Sequence, residues 1–285
     1  MKAIVTGASS GIGRDIAIYL GKLGYDLILV SRDINRLEET ASKIDTNVEI
    51  CPMDLTGRDN CFKLYDKYKD EDIDFLINNA GFGLFGNSWE TDINKELKMI
   101  DLNVTAVHIL TKLFLQDMVK KDKGRILNVA SIAGFLVGPT LNTYYATKNY
   151  VTKWTMGIYE ELKKKKSNVH ISCLCPGPVD TNFNKVANVK FALKGLSSEY
   201  VAKYGVDNVV LLSPYRQKTE TGVNALNQRI QGKVNPPDPA KNEAVYGQRR
   251  FRVGDKVMQT KNCEEVNNGD VGYITSITGT ASDAV

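Results

Sequence analysis

Histidine is scarce in this chain: 285 residues hold two, His108 and His170, far apart in sequence. A histidine-based metal site or a Ser-His-Asp triad therefore has little to work with. Cysteine is sparse and odd in number. Cys51, Cys61, Cys173, Cys175 and Cys263 include no C-x-x-C pair, which argues against a disulfide framework and for free thiols in a reducing cytoplasm. An excess of one charge is lacking too, since 37 basic and 33 acidic residues leave +4, too little to argue for nucleic acid. No apolar run approaches ~18 residues, so a membrane-spanning helix is not expected. No secretory signal is expected, because Lys2-Ala3-Ile4-Val5-Thr6 runs straight into a glycine-rich turn.

What remains is an ordinary globular composition, 42% hydrophobic and 25% charged, in a chain long enough for one or two domains. To about residue 175, short β-branched runs alternate with helical patterns. The expected strands are Ala3–Thr6, Asp26–Ser31, Val48–Cys51, Ile73–Asn78, Arg125–Ala130 and His170–Leu174. The expected helices are Ile12–Leu23, Ile34–Ile44, Asp59–Lys69, Lys95–Lys120 and Thr143–Lys166. Such alternation predicts an α/β fold, a Rossmann-type doubly wound parallel sheet whose ligands bind beyond the carboxyl ends of the strands. The character changes near residue 205. Prolines gather between Pro214 and Pro239, and strand-like runs Arg252–Met258 and Val271–Ile277 flank a turn at Asn267–Asp270. A small mixed or β-rich unit is expected there.

The first strand ends in Thr6-Gly7-Ala8-Ser9-Ser10-Gly11-Ile12-Gly13. Its glycines permit a tight turn, and the helix that follows offers free N–H groups to a pyrophosphate. Asn78-Asn79-Ala80-Gly81 follows the fourth strand, and Asn103 lies in Leu102-Asn103-Val104. Ser131 ends the fifth strand, Tyr144-Tyr145-Ala146-Thr147-Lys148 begins thirteen residues later, and Pro176-Gly177 follows the sixth strand with Thr181 shortly beyond. In this order and spacing, residues 1 to about 204 resemble the short-chain dehydrogenase/reductase family.

Tyr144 and Lys148 are i and i+4, on one face of a helix. A free tyrosine, with a pKa of ~10, is a poor acid or base at neutral pH, and a nearby ammonium is expected to lower it. Tyr144 would then exchange a proton with a carbonyl/alcohol pair, while Ser131 hydrogen-bonds the substrate oxygen. Tyr145 lies three residues from Lys148 rather than four and is the poorer candidate. The resemblance further implies that Lys148 holds the nicotinamide ribose and that Asn103 supports a proton relay. It places cofactor contacts at Gly7, Ser9, Ser10, Gly11, Ile12, Gly13, Arg14, Ser31, Arg32, Asp54, Leu55, Asn79, Ala80, Gly81, Tyr144, Lys148, Pro176, Gly177, Val179 and Thr181. The second strand ends Ser31-Arg32, where NAD enzymes usually carry an acid. With Arg14 nearby, this favours NADP(H). Asp33 is a partial counter-argument, though it is expected to cap the next helix. Phe82, Leu84, Phe85, Phe135, Leu136, Val137, Phe183 and Phe191 fall where the family's substrate pocket is bordered, so an apolar carbonyl compound is expected.

From about residue 206 the pattern differs. Val209–Arg216, Gly222–Asn227, Phe251–Asn262 and Asn268–Ile274 resemble the C-terminal region of RecD-like DNA helicases. No G-x-x-x-x-G-K-[ST] loop is present to cradle nucleotide phosphates, so no motor is expected. Arg249, Arg250, Arg252, Lys256 and Lys261 form a modest basic cluster, and nucleic acid is not the expected partner. The expected domains are 1–204, an NADP-binding reductase truncated at its C-terminal end, and 205–285, a helicase-derived fragment. The joint is open to three readings: a natural fusion, a deliberate chimera, or two genes wrongly joined. The expected activity is NADP(H)-dependent hydride transfer on a small-molecule carbonyl or alcohol in the cytoplasm, with self-association through the reductase domain. The competing reading is an inactive fusion carrying a weak nucleic-acid-binding remnant.

Overall fold

The computed structural model describes residues 1–181, 183, 195–207, 231, 235–239, 241–246, 249–258 and 271–277. The chain divides into two compact units, Met1–Val210 and Leu211–Val285.

The first unit is built on a six-stranded parallel sheet. Its strands are β1 (Lys2–Thr6), β2 (Asp26–Ser31), β3 (Val48–Pro52), β4 (Phe75–Asn78), β5 (Arg125–Val129) and β6 (His170–Leu174), in the order β3-β2-β1-β4-β5-β6. The chain reverses direction of travel across the sheet between β3 and β4. Ligands of such sheets bind at that switch point. Strands buried on both faces read as continuous apolar runs, and the period of two then sorts them. Ile4, Ile28, Val30, Leu76, Ile126 and Ile171 belong to one core cluster. Their neighbours Ala3, Val5, Leu27, Leu29, Phe75, Ile77 and Leu127 belong to the cluster on the other face.

Helices cover both faces. α3 (Arg58–Tyr68), α5 (Val107–Lys121) and α6 (Asn142–Lys164) supply Leu64, Phe114 and Ile158 to the first cluster. α1 (Gly11–Lys22), α2 (Ile34–Ala41) and α7 (Ser198–Asp207) supply Ile16, Leu37 and Val201 to the second. Asp33 caps α2 as expected, its carboxylate accepting from Arg36 N at 3.1 Å. One expected helix differs. The segment Lys95–Lys120 is α4 (Ile93–Ile100), then a wide π-helical turn at Asp101–Ala106, then α5. Two short strands, β7 (Val179–Asp180) and β8 (Leu196–Ser197), pair in parallel after β6.

In the second unit, β9 (Glu243–Tyr246) pairs antiparallel with β10 (Arg249–Arg252), and β11 (Lys256–Met258) with β12 (Val271–Tyr273). β9 was not expected from sequence, and the expected run Arg252–Met258 is interrupted. There Asp255 accepts from Arg252 N at 2.7 Å and turns the chain between β10 and β11. Arg252 does not belong to a basic surface cluster. Its side chain is buried, paired with Glu243 and donating to Asn235 O at 3.0 Å. Lys261, Cys263, Phe191, the Asn267–Asp270 turn and the segments Val209–Arg216 and Gly222–Asn227 lie outside the described residues. Among the described residues, no helix is long and apolar enough to cross a membrane.

Candidate active site

The loop between β1 and α1 is shaped by its glycines. Gly7 and Gly11 adopt φ of +68° and +55°, conformations that side chains resist. Gly13 answers a different need: a Cβ there would lie 2.2 Å from Asn79 Nδ2 and 2.4 Å from Gly7 O. Thr6 ties this turn to the segment after β4. Its hydroxyl accepts from Asn79 N at 3.0 Å and Ala80 N at 3.1 Å and donates to Ile77 O at 3.2 Å. Asn79 Nδ2 in turn donates to Thr6 O and Gly7 O at 3.1 and 3.3 Å. Ser10 is the N-cap of α1, but its side chain makes no cap bond. The N–H groups of Gly11, Ile12 and Gly13 therefore keep their donors and the positive end of the dipole at the loop.

Of the other predicted cofactor residues, Ser31 and Thr181 touch this turn. Ser31 donates to Ser9 Oγ at 2.9 Å. Arg32 is largely exposed and faces Asp54 at 3.8 Å, while Arg14 Nε bonds Asp15 at 2.8 Å. Asp54 also accepts from Thr56 N at 3.0 Å, and Leu55 is buried. Thr181 packs on Gly11, its Cγ2 3.0 Å from where a Cβ would sit. Pro176 O accepts from Ile132 N at 2.9 Å, which ties the end of β6 to that of β5. Val179 is buried in β7, and a Cβ at Gly177 would meet nothing within 4 Å.

Asn103, Ser131, Tyr144 and Lys148 converge beyond the ends of β4 and β5. Asn103 lies in the π-helical turn, fully buried. It donates to Phe82 O at 2.8 Å and Thr147 Oγ1 at 3.2 Å and accepts from Phe82 N at 3.0 Å. Thr147 donates to Tyr144 O at 2.7 Å, so one hydroxyl couples the two helices. Gly81 leaves the gap between Asn103 and Lys148: a Cβ there would be 2.9 Å from Asn103 Oδ1 and 3.5 Å from Lys148 Nζ. Lys148 is buried and donates to Val129 O at 2.8 Å, with Nζ 5.8 Å from the centre of the Tyr144 ring. Ser131 caps a short 3-10 turn (Ile132–Phe135), accepting from Ala133 N at 3.1 Å and donating to Pro176 O at 3.5 Å, and its hydroxyl faces the Tyr144 phenol and favours the phenolate.

Electrostatics differ from the sequence expectation. Burial pushes the Tyr144 phenol up to about 12, and the neighbouring Ser131 hydroxyl only partly opposes that. Burial also holds Lys148 down to about 8. The expected depression of Tyr144 by Lys148 is absent, because desolvation of the phenolate dominates and the ammonium is held by Val129 O. Tyr145 turns away. Its ring lies edge-on to Tyr144, centroids 6.2 Å apart, and occupies the space a Cβ at Gly138 would need.

Of the predicted pocket residues, Phe82, Leu84 and Phe183 pack with Met99, Ala133, Leu141 and Tyr144. The Phe183 ring lies 5.2 Å from that of Tyr144. Phe85, Phe135, Leu136 and Val137 are exposed, Val137 at 92%. The sequence reading missed Thr6 and Thr147, for which a single threonine in a motif gives no signal, and the π-helical turn, which leaves no mark on periodicity.

A family model described as short chain dehydrogenase matches residues 1–192, and one described as the SH3 domain of ATP-dependent RecD-like DNA helicases matches 226–285. An uncharacterized oxidoreductase of Staphylococcus saprophyticus is 37% identical over 185 residues, covering 63% of this chain and 78% of that protein. The human very-long-chain 3-oxoacyl-CoA reductase is 32% identical over 223 residues, covering 74% and 69%. A solved short-chain dehydrogenase from Sphingobium yanoikuyae, in complex with NADPH, superposes with a TM-score of 0.70 at 27% identity. The match covers 85% of this chain and 98% of that one.

Proposed function

Because the chain belongs, through residues 1–192, to the short chain dehydrogenase family, and is on that ground an oxidoreductase, we propose that it transfers a hydride between NADP(H) and an apolar carbonyl/alcohol pair. We assign that role to residues 1–204 and leave 205–285, the RecD-like segment, outside the chemistry. The observation that carries the reading is the meeting of Tyr144, Lys148, Ser131 and Asn103 in one buried cluster next to the glycine turn.

The residues fit a phosphorylated dinucleotide. Glycine backbone and the open first turn of α1 accept a pyrophosphate. Ser31 puts no carboxylate at the end of β2, and Arg14 and Arg32 supply cations that a ribose phosphate can recruit from Asp15 and Asp54. The NADPH of the Sphingobium neighbour agrees with that preference. When bound, the cofactor supplies the hydride, and the protein supplies orientation and electrostatics.

Tyr144 holds its proton at neutral pH, which suits a general acid toward a carbonyl oxygen. Ser131, whose hydroxyl faces the Tyr144 phenol, can turn that hydroxyl to the same oxygen and stabilise the charge developing there. Lys148 remains mostly charged below about pH 8 and sits between Asn103 and Tyr144, where it can hold ribose hydroxyls and return a proton toward the phenol. Phe82, Leu84 and Phe183 form an apolar wall on Tyr144. The name of the human relative, a very-long-chain 3-oxoacyl-CoA reductase, agrees with an acyl-type or similarly apolar substrate.

The test is a fluorescence titration of the full chain with NADPH and NADH, followed by a screen of apolar ketones and 3-oxoacyl thioesters. Tighter binding of NADPH and turnover that falls about 10²-fold or more in Tyr144→Phe are expected, with cofactor binding retained. Cofactor binding without turnover of any carbonyl, or a Tyr144→Phe variant as active as wild type, would overturn the proposal.

A further inference from the structure

The proposed hydride transfer uses no cysteine, yet two thiols adjoin its lysine and serine. β6 ends at Leu174, and residues two apart along an extended strand project to the same side. Cys173 and Cys175 accordingly meet, with their sulfurs 3.7 Å apart. Thr152 stands beside both, its hydroxyl 3.8 Å from Cys175 Sγ and 4.0 Å from Cys173 Sγ, while donating to Lys148 O at 2.8 Å. The Lys148 ammonium and the Ser131 backbone both favour the Cys175 thiolate. Cys173 is buried and Cys175 is partly exposed.

We infer that Cys175 is an oxidation site for hydroperoxides, with Cys173 as its resolving thiol. Reactive cysteines sit in partly exposed, electropositive surroundings, and inert ones are buried. Cys175 has the first setting. Hydrogen bonds from Cys173 and Ser131 and the charge of Lys148 draw its thiol below the ordinary value, whereas Cys173 is pushed well above it. Cys51 and Cys61 are buried, and burial pushes Cys61 up to about 11.

The chemistry balances without a further partner. The Cys175 sulfur attacks the distal oxygen of a hydroperoxide and the O–O bond breaks, giving a Cys175 sulfenic acid and an alcohol, or water from hydrogen peroxide. Cys173 sulfur then attacks that sulfenic sulfur. The S–O bond breaks, and hydroxide leaves as water with the Cys173 proton. The net change is two thiols and one hydroperoxide to a disulfide, an alcohol and water. Alternate residues of a strand lie ~6.6 Å apart at Cα, near the upper limit for a disulfide. The bond formed is therefore strained and readily reduced, as regulatory disulfides are. Oxidation alters the group beside the Ser131 backbone and Lys148, so hydride transfer should fall with it. That last step rests on the proposed reductase activity, and the thiol chemistry does not.

Trypsin places both sulfurs in one peptide, residues 167–185, which holds no other cysteine. The full chain is treated with hydrogen peroxide, blocked with N-ethylmaleimide, digested and weighed. The 167–185 peptide should lose two hydrogens and take up no maleimide, and dithiothreitol should restore both thiols. Its oxidation should run about tenfold or more ahead of the peptides carrying Cys51 and Cys61. In Cys173→Ser, dimedone should add at Cys175. In Cys175→Ser, Cys173 should remain fully alkylatable. A peptide that takes up two maleimides after peroxide, oxidation no faster than at Cys51 or Cys61, or no dimedone adduct in Cys173→Ser would overturn the inference. These masses are read without turnover. A peptide that oxidises in a chain that reduces no carbonyl would therefore count against the reductase reading alone.

Discussion

Replacing Lys148 with methionine should make the protein more stable at pH 7 while removing its activity. Lys148 is buried, and its pKa falls from the ordinary 10.5 to about 8. A shift of that size means that the folded state carries the ammonium at a cost of about 3 kcal/mol. A methionine side chain at this position would occupy a similar volume without that charge. Against this stands the bond from Nζ to Val129 O at 2.8 Å, whose loss leaves a carbonyl short of a partner at about 1–2 kcal/mol. The balance at pH 7 favours Lys148→Met by about 1–2 kcal/mol, a rise in melting temperature of roughly 3–6 °C for a domain of this size. The pH dependence is the sharper test. Between about pH 8 and 10 the unfolded chain keeps its lysine proton and the folded chain has released it, so wild-type stability rises with pH there. By pH 9.5 the cost of Lys148 falls to about 1 kcal/mol, and the advantage of the variant should shrink by about 2 kcal/mol. Denaturant titrations of both proteins at pH 7 and pH 9.5, with NADPH binding followed in parallel, measure every term. A stability difference that stays constant over that interval would refute the claim that a buried ammonium sits at this position.

Gly13→Ala would place a methyl group 2.2 Å from Asn79 Nδ2 and 2.4 Å from Gly7 O. Because one of the two is backbone, a loss of about 1–3 kcal/mol is expected, together with loss of NADPH binding. Denaturant and fluorescence titrations check both, and an unchanged affinity would show that the glycine turn is not the cofactor cradle. Ser31→Asp adds a carboxylate beside Ser9, where Ser31 now donates at 2.9 Å. It should lower the NADPH-to-NADH affinity ratio by about tenfold or more, since a carboxylate repels a ribose phosphate and accepts from ribose hydroxyls. A ratio that does not move would place the ribose elsewhere.

Much of the sheet was legible because its strands are buried on both faces. Asp26–Ser31 and His170–Leu174 were expected with the bounds they have: Leu27–Val30 is an apolar run flanked by polar residues, and Ile171, Cys173 and Leu174 make a short run that ends before Pro176-Gly177. β4 is shorter than expected because Ile73 N turns back to Glu71 O at 3.0 Å before the ladder begins. β9, Glu243-Ala244-Val245-Tyr246, carries too little alternation to announce itself and gains its place from pairing with β10. Among site residues, the i, i+4 relation of Tyr144 and Lys148 was readable, but the direction of the tyrosine's pKa was not. Sequence spacing reports that two side chains share a helix face. It does not report that the face is dry, and desolvation here exceeds the influence of the charge.

The dry face also explains why α6 reads weakly as an amphipathic helix. Tyr144, Lys148, Val151, Thr155, Ile158 and Leu162 form one buried stripe at helical spacing, and half of it is polar. Each polar member has a partner on or just beyond β5. Tyr144 meets Ser131, Lys148 donates to Val129 O at 2.8 Å, and Thr155 accepts from Asn128 Nδ2 at 2.9 Å. Apolar contacts alone would let a helix slide or turn on the sheet with little loss, because they are non-directional. Two directional bonds to neighbouring residues of one strand, Asn128 and Val129, fix both the rotation and the height of α6. The stripe therefore positions the acid and the lysine by the same contacts that hold the helix down. A polar residue on it is lost only by leaving its β5 partner unsatisfied; at Lys148 that cost is outweighed by removal of a buried charge, so there the geometry of the site is kept at the expense of stability.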